Sequence, residues 1–217
     1  HLGATIGSVV HGVDMAATSP SEATALKALL LERKVIFFRE QHITEQQHID
    51  FSRQFGPLEI HPFNPMHPEH DEIIPIYSGA KYVGSTNRWH SDVMWRMEPS
   101  LGSLLRARVV PTPSGGDTLF ANMYLAYETL SDGMRTALDG LSGYYTGTGS
   151  RNSHGGRARE DRYADNPAMK AKLKRPDNVV TEAVHPLVRT HPQTGRKSLF
   201  IGGHTHSLDG FTEEESQ

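Results

Sequence analysis

Apolar positions recur at helical spacing in the first quarter of the chain and at strand spacing after it. Ala23, Leu26, Leu29 and Leu30 fall on one helical face, behind Ser19-Pro20-Ser21-Glu22, which reads as an N-cap, a first-turn proline and a reciprocal capping glutamate. Arg33 and Lys34 suit the negative end of that helix dipole. Val35-Ile36-Phe37-Phe38 follows as a short buried strand. A second capping box, Thr44-Glu45-Gln46-Gln47, opens a helix that carries His48, Phe51 and Phe55 towards the core and stops at Gly56-Pro57.

From about residue 58 the pattern shifts to strands and loops. The proline- and histidine-rich stretch from His61-Pro62 to His70 is too irregular for a regular element. Residues 101–110 and 117–121 alternate as strands do, with a tight turn at Gly115-Gly116 between them. Asn122 and Ser131 start short helical segments whose apolar faces are Tyr124, Tyr127, Leu130, Met134 and Leu138. Residues 146–165, rich in Gly, Ser, Arg and Asn, read as a long lid-like loop. Two more strands, 183–190 and 197–201, flank a turn at His191-Pro192-Gln193-Thr194-Gly195. Scattered strands with helices mostly at the front predict a β-rich α+β class.

Composition narrows the chemistry. The 217 residues suffice for one domain with a substantial core. A net charge of −3 offers no basic field for nucleic acid or an anionic membrane surface, and no apolar run is long enough to span a bilayer. The lack of cysteine excludes disulfides, thiolate metal sites and cysteine nucleophiles, and fits a cytoplasmic setting. Thirteen histidines are the one surplus, and they direct attention to metals.

Trp89-His90-Ser91-Asp92 is the pattern that carries most chemistry. On an extended strand its imidazole and carboxylate leave the same face. An N,O pair that leaves coordination positions open suits non-haem Fe(II) better than structural zinc; the plainer alternative is a hydrogen-bonded His–Asp pair. Trp89 is expected in the core, with Val93 packed beside the metal pair. Gly202-Gly203-His204-Thr205-His206 offers two more histidines that alternate on one strand face.

Trp89-His90-Ser91-Asp92-Val93, then Gly115-Gly116-Asp117-Thr118-Leu119-Phe120, then His185-Pro186-Leu187-Val188-Arg189-Thr190-His191-Pro192 form an ordered set. It resembles the signature of the taurine dioxygenase/2,4-dichlorophenoxyacetate dioxygenase family of Fe(II)- and 2-oxoglutarate-dependent oxygenases. Gly12-Val13-Asp14, the strand ending at Arg39 and Phe55-Gly56 fit the same pattern, so the likeness covers essentially the whole chain.

The resemblance implies a double-stranded β-helix (jelly-roll) core with flanking helices, in a single domain spanning residues 1–217. It implies His90 and Asp92 as two ligands of an Fe(II) facial triad, and Thr118 as a hydroxyl contact to the distal carboxylate of 2-oxoglutarate; Asp117 is a turn residue. O₂ and 2-oxoglutarate would then be consumed, with release of succinate and CO₂. His61 matches a family histidine that binds the sulfonate in taurine-specific members. Asn64 and Thr86 stand where those members carry Tyr and Asn, which weakens a taurine assignment and leaves other sulfonates, alkyl sulfates and aryloxyalkanoates open. Arg151, Arg157, Arg159 and Arg162 could help to hold such an anion.

The family's third iron ligand, in a W-D-N-R-x-x-x-H segment, and the arginine that pairs with 2-oxoglutarate are not in this sequence, and both are expected beyond Gln217. The expected partner is a small anionic organic molecule, with no nucleic acid and no membrane, in a homo-oligomer (dimer or tetramer). Two alternatives remain: a non-catalytic jelly-roll binding module, and a 2-oxoglutarate-independent metalloenzyme using His90, Asp92 and His204.

Overall fold

The computed structural model describes residues 1–76, 88–110, 112–113, 115–147, 166–173, 179–212 and 214–216. The chain divides into two compact units, one of residues 1–60, 66–73 and 104–122, the other of residues 61–65, 74–103 and 123–217.

In the first unit, strand β1 (Ser8–Val10) pairs in parallel with β2 (Ile36–Phe38), and helix α1 (Pro20–Arg33) connects them. Both halves of the predicted capping box form: the Ser19 side chain accepts from the Glu22 amide, and the Glu22 carboxylate accepts from the Ser19 amide at 2.8 Å. The helix ends where Lys34 turns left-handed at φ 63° and its amide donates to the Leu30 carbonyl. Ala23 and Leu26 are buried as their spacing predicts.

Arg33 differs from the reading as a dipole complement. Its guanidinium is buried and donates to the carbonyls of Gly3 (2.7 Å) and Gly7 (3.2 Å) and, through Nε, to the Ser8 hydroxyl (2.9 Å). A planar fork of donors suits a loop that turns several carbonyls towards one point. The second predicted helix is α2 (Glu45–Arg53), again with a complete capping box. Phe51 is buried and meets Phe38 edge to face at 5.7 Å. Ile49 shares the buried face.

Strand β3 (Ser142–Thr146) is central in the second unit, between β4 (Glu182–Pro186) and β7 (Thr205–Leu208), both antiparallel to it. Strands β5 (Val188–Thr190) and β6 (Lys197–Leu199) form a hairpin about the predicted 191–195 turn. The single strand expected over 183–190 instead breaks at a bend at Leu187, whose amide donates to the Leu141 carbonyl at 2.9 Å. Helices α3 (Met123–Glu128) and α4 (Asp132–Leu138) lie near their predicted starts, with Ser131 capping the second. Tyr124 of α3 is buried, but α4 buries no residue, so Met134 and Leu138 do not form the expected core face. A four-residue helix, α5 (Pro167–Lys170), follows the Asn166 cap.

Three further expectations fail. Among the described residues, 101–110 form no strand, and Leu105 and Val109 are 76% and 89% exposed. Residues 117–121 likewise form no ladder; alternation needs a neighbouring strand before it becomes a sheet. Thr146, expected to begin a loop, instead closes β3, and the Gly147 amide donates to the Thr181 carbonyl at 2.8 Å. The rest of that loop, with Arg151, Arg157, Arg159 and Arg162, lies outside the described residues.

Candidate active site

Residues 88–98 follow turns rather than the extended strand expected of the H-x-D pair. Trp89 is 59% exposed, which corrects its expected core position, and Trp95 takes the core role at 3%. Trp95 packs with Phe63 and Val93, and Val179 covers the cluster. Val93 pays a conformational cost there: its φ of 48° is left-handed, a region that strains a β-branched residue by about 1–3 kcal/mol. Burial of its side chain offsets that strain, and the reversal it makes follows directly after Asp92.

The turn gives His90 and Asp92 a defined arrangement. His90 Nδ1 lies 2.9 Å from the Arg88 carbonyl oxygen. A carbonyl can only accept, so Nδ1 carries the proton and the neutral ring keeps its lone pair on Nε2. That Nε2 is 3.6 Å from Asp92 Oδ1. The other carboxylate oxygen, Oδ2, accepts from the Ser103 hydroxyl at 3.0 Å. His90 Nε2 and Asp92 Oδ1 are thus the donor atoms that approach each other, each on a side chain tied elsewhere by a hydrogen bond. Cis ligands about 2.0–2.2 Å from one octahedral cation lie about 3 Å apart, so a cation fits after closure of about 0.6 Å.

The glycines at 202 and 203 complete the surroundings. A Cβ on Gly202 would stand 2.9 Å from the Trp89 carbonyl oxygen and 3.0 Å from His90 Cα, so only glycine permits this approach. The Gly203 amide donates to that same carbonyl at 2.8 Å. His204 is thereby brought beside His90, ring centroids 6.1 Å apart and edge to face. His206 meets Tyr144 instead, at 5.8 Å. Among the described residues His90, Asp92 and His204 do not gather into a three-donor cluster; His67, Glu69 and His70 do.

His61 Nδ1 accepts from the amides of Phe63 and Asn64, both at 3.2 Å. Its neutral ring then carries the proton on Nε2, a donor suited to an anion. Its ring lies edge-on to Phe63 and Trp95, and Asn64 is half-buried. Thr118 is exposed in the first unit, three residues after Gly115, where Gly116 supplies a left-handed φ of 71°. Thr86 lies outside the described residues.

His185 is structural: buried, with Nε2–H donating to the Arg96 carbonyl at 2.8 Å and ring contacts to Tyr145 and Phe200. Burial holds its pKa below the ordinary value. Tyr145 is fully buried and donates to the Phe200 carbonyl, and burial pushes its phenol up to about 12. Sequence reasoning missed Ser103, the Arg88 carbonyl and the role of Gly202; only the glycine pair beside His204 left a visible signal.

The model of the taurine catabolism dioxygenase TauD, TfdA family matches residues 1–217. The chain belongs to that family. It is 31% identical over 222 residues to an (S)-phenoxypropionate/alpha-ketoglutarate-dioxygenase of Sphingobium herbicidovorans, covering 100% of this chain and 74% of that protein. An alpha-ketoglutarate-dependent sulfate ester dioxygenase of Pseudomonas putida is 30% identical, over 98% of this chain and 68% of its own length. The crystal structure of a taurine dioxygenase from Burkholderia xenovorans superposes with a TM-score of 0.76 at 35% identity, over 99% of this chain and 66% of that one.

The chain thus spans about two thirds to three quarters of the length of these relatives. As a TauD, TfdA family member it is a taurine dioxygenase-like, alpha-ketoglutarate-dependent dioxygenase. Among the described residues no helix is long and apolar enough to cross a membrane.

Proposed function

We propose that the protein hydroxylates a small anionic organic substrate (a sulfonate such as taurine, an alkyl sulfate or an aryloxyalkanoate) using Fe(II), 2-oxoglutarate and O₂. The observation that carries this reading is the approach of His90 Nε2 to Asp92 Oδ1, 3.6 Å apart. The net reaction is R–H + 2-oxoglutarate + O₂ → R–OH + succinate + CO₂. Bound iron supplies the activation of O₂ that this oxidation requires.

The chain's own groups have separable roles. His90 and Asp92 hold the cation; the Arg88 carbonyl and Ser103 fix which atom each ligand presents. Thr118 contributes a hydroxyl to the 2-oxoglutarate carboxylate. His61 donates Nε2–H to the substrate's anionic group, with Asn64 beside it; Thr86 is proposed as a substrate-binding residue from the family resemblance alone. The rings of Phe63 and Trp95 pack edge-on against His61 and fix the orientation of its imidazole. A jelly-roll core in one catalytic domain is the architecture we propose, supported by a family match that runs through both compact units.

His204 gives the metalloenzyme alternative its one support, through its ring contact with His90. A succinate-release screen across sulfonates, sulfate esters and aryloxy acids separates the readings. Substrate-stimulated succinate release that survives His204→Ala supports the dioxygenase. Hydrolysis without 2-oxoglutarate, lost in the same variant, supports the alternative.

A further inference from the structure

We propose a second metal site, for zinc, at His67, Glu69 and His70 in the first unit. One ligand atom from each lies within 4.8 Å of the others, with both histidines half-buried and the glutamate exposed. The two imidazoles are stacked, centroids 5.3 Å apart and planes inclined by 25°. Donors about 2.0–2.1 Å from a tetrahedral zinc stand about 3.3 Å apart, so closure requires a shift of about 1.5 Å at most.

The backbone frames this cluster in advance. The His67 amide donates to the Ile73 carbonyl at 2.8 Å, and the Ile73 amide donates back to the His70 carbonyl at 3.1 Å. Met66 is buried just before the loop, and Glu72 is tied to Arg53 of α2 at 2.7 Å. Glu72 is thus held by its own partner, leaving Glu69 as the carboxylate of the set. The 67–73 segment holds both imidazoles on one side of a closed loop, which lowers the ordering cost of binding.

Two imidazoles and a carboxylate favour zinc over magnesium or calcium, which prefer all-oxygen sets. One bond is displaced: His67 Nδ1 accepts from the Glu69 amide at 3.2 Å. Whichever nitrogen binds the metal, that long, exposed contact is lost, because a ring that uses Nε2 as ligand must protonate Nδ1. Zinc bound here would clip the loop shut and raise the stability of the folded state by mass action.

The test is equilibrium dialysis against zinc alone, in a H90A/D92A background that removes the other histidine–carboxylate pair. We expect one equivalent bound, weakened at least tenfold by adding H70Q and several-fold by adding E69Q. Thermal unfolding confirms that each variant is folded, and E69Q, a change on an exposed side chain, keeps the comparison if H70Q is not. No zinc bound in the background variant, or binding unchanged by H70Q and E69Q, overturns the proposal.

Discussion

Replacing Gly202 by alanine tests whether close backbone contact builds the site. The added Cβ would sit 2.9 Å from the Trp89 carbonyl oxygen and 3.0 Å from His90 Cα. Both neighbours are backbone atoms, so no side chain can swing aside to relieve the clash. Forced overpacking of this kind costs about 1–3 kcal/mol. The hydrogen bond from the Gly203 amide to the same carbonyl, 2.8 Å, would lengthen as the segments part.

Gly203 is the internal control. Its added Cβ would meet nothing closer than 3.7 Å, an ordinary contact, and neither glycine has a left-handed φ. In a chain of 217 residues, about 1–3 kcal/mol corresponds to a drop in Tm of about 2–12 °C. We therefore expect G202A to lower Tm by that amount and to weaken Fe(II) binding, while G203A changes Tm by about 2 °C or less. Calorimetry and anaerobic Fe(II) titration on both variants check this. Equal Tm and equal Fe(II) affinity in the two would refute the reasoning.

Ser103→Ala frees Asp92 Oδ2 and should reduce Fe(II) affinity about 10-fold or more, with little change in Tm, as metal titration would show. Trp95→Ala should destabilise the fold by about 3–5 kcal/mol, and Trp89→Ala by about 0.5 kcal/mol or less, because Trp95 is 3% and Trp89 59% exposed; urea unfolding separates them. Burial holds the folded-state pKa of His185 below its ordinary 6.5, so the unfolded chain binds more protons in acid. Its contribution is therefore complete above pH 6.5 and is lost as pH falls through the lowered value, with a slope of at most about 1.4 kcal/mol per pH unit. His185→Gln should flatten the profile of Tm against pH below 6.5.

Local signals were legible where the cause is local. Both capping boxes, the 191–195 turn and the Ser131 cap depend on neighbours within a few residues, and all formed. Long-range causes were not legible. Arg33 looks like any helix-terminal cation until the carbonyls of Gly3 and Gly7, 30 and 26 residues away, converge on it. Ser103 stands eleven residues from Asp92, with no pattern to connect them. Trp89 and Trp95 are equivalent on the page, yet on either side of the left-handed Val93 one is 59% and the other 3% exposed.

His90-Ser91-Asp92 was visible as a candidate pair, but on the wrong local geometry. An extended strand would have placed both side chains on one face, whereas the turn places them through hydrogen bonds to the Arg88 carbonyl and Ser103. The third donor near a cation at this site was not legible from the spacing of His204 and His206, and among the described residues those histidines do not complete it.

The most direct test is an anaerobic titration of the protein with Fe(II) and 2-oxoglutarate, followed in the visible region. A weak charge-transfer band that requires both components and disappears in His90→Ala and in Asp92→Ala is the predicted result. A band that persists in both variants, or none in the folded wild-type protein, would contradict the assignment of this pair as the iron site.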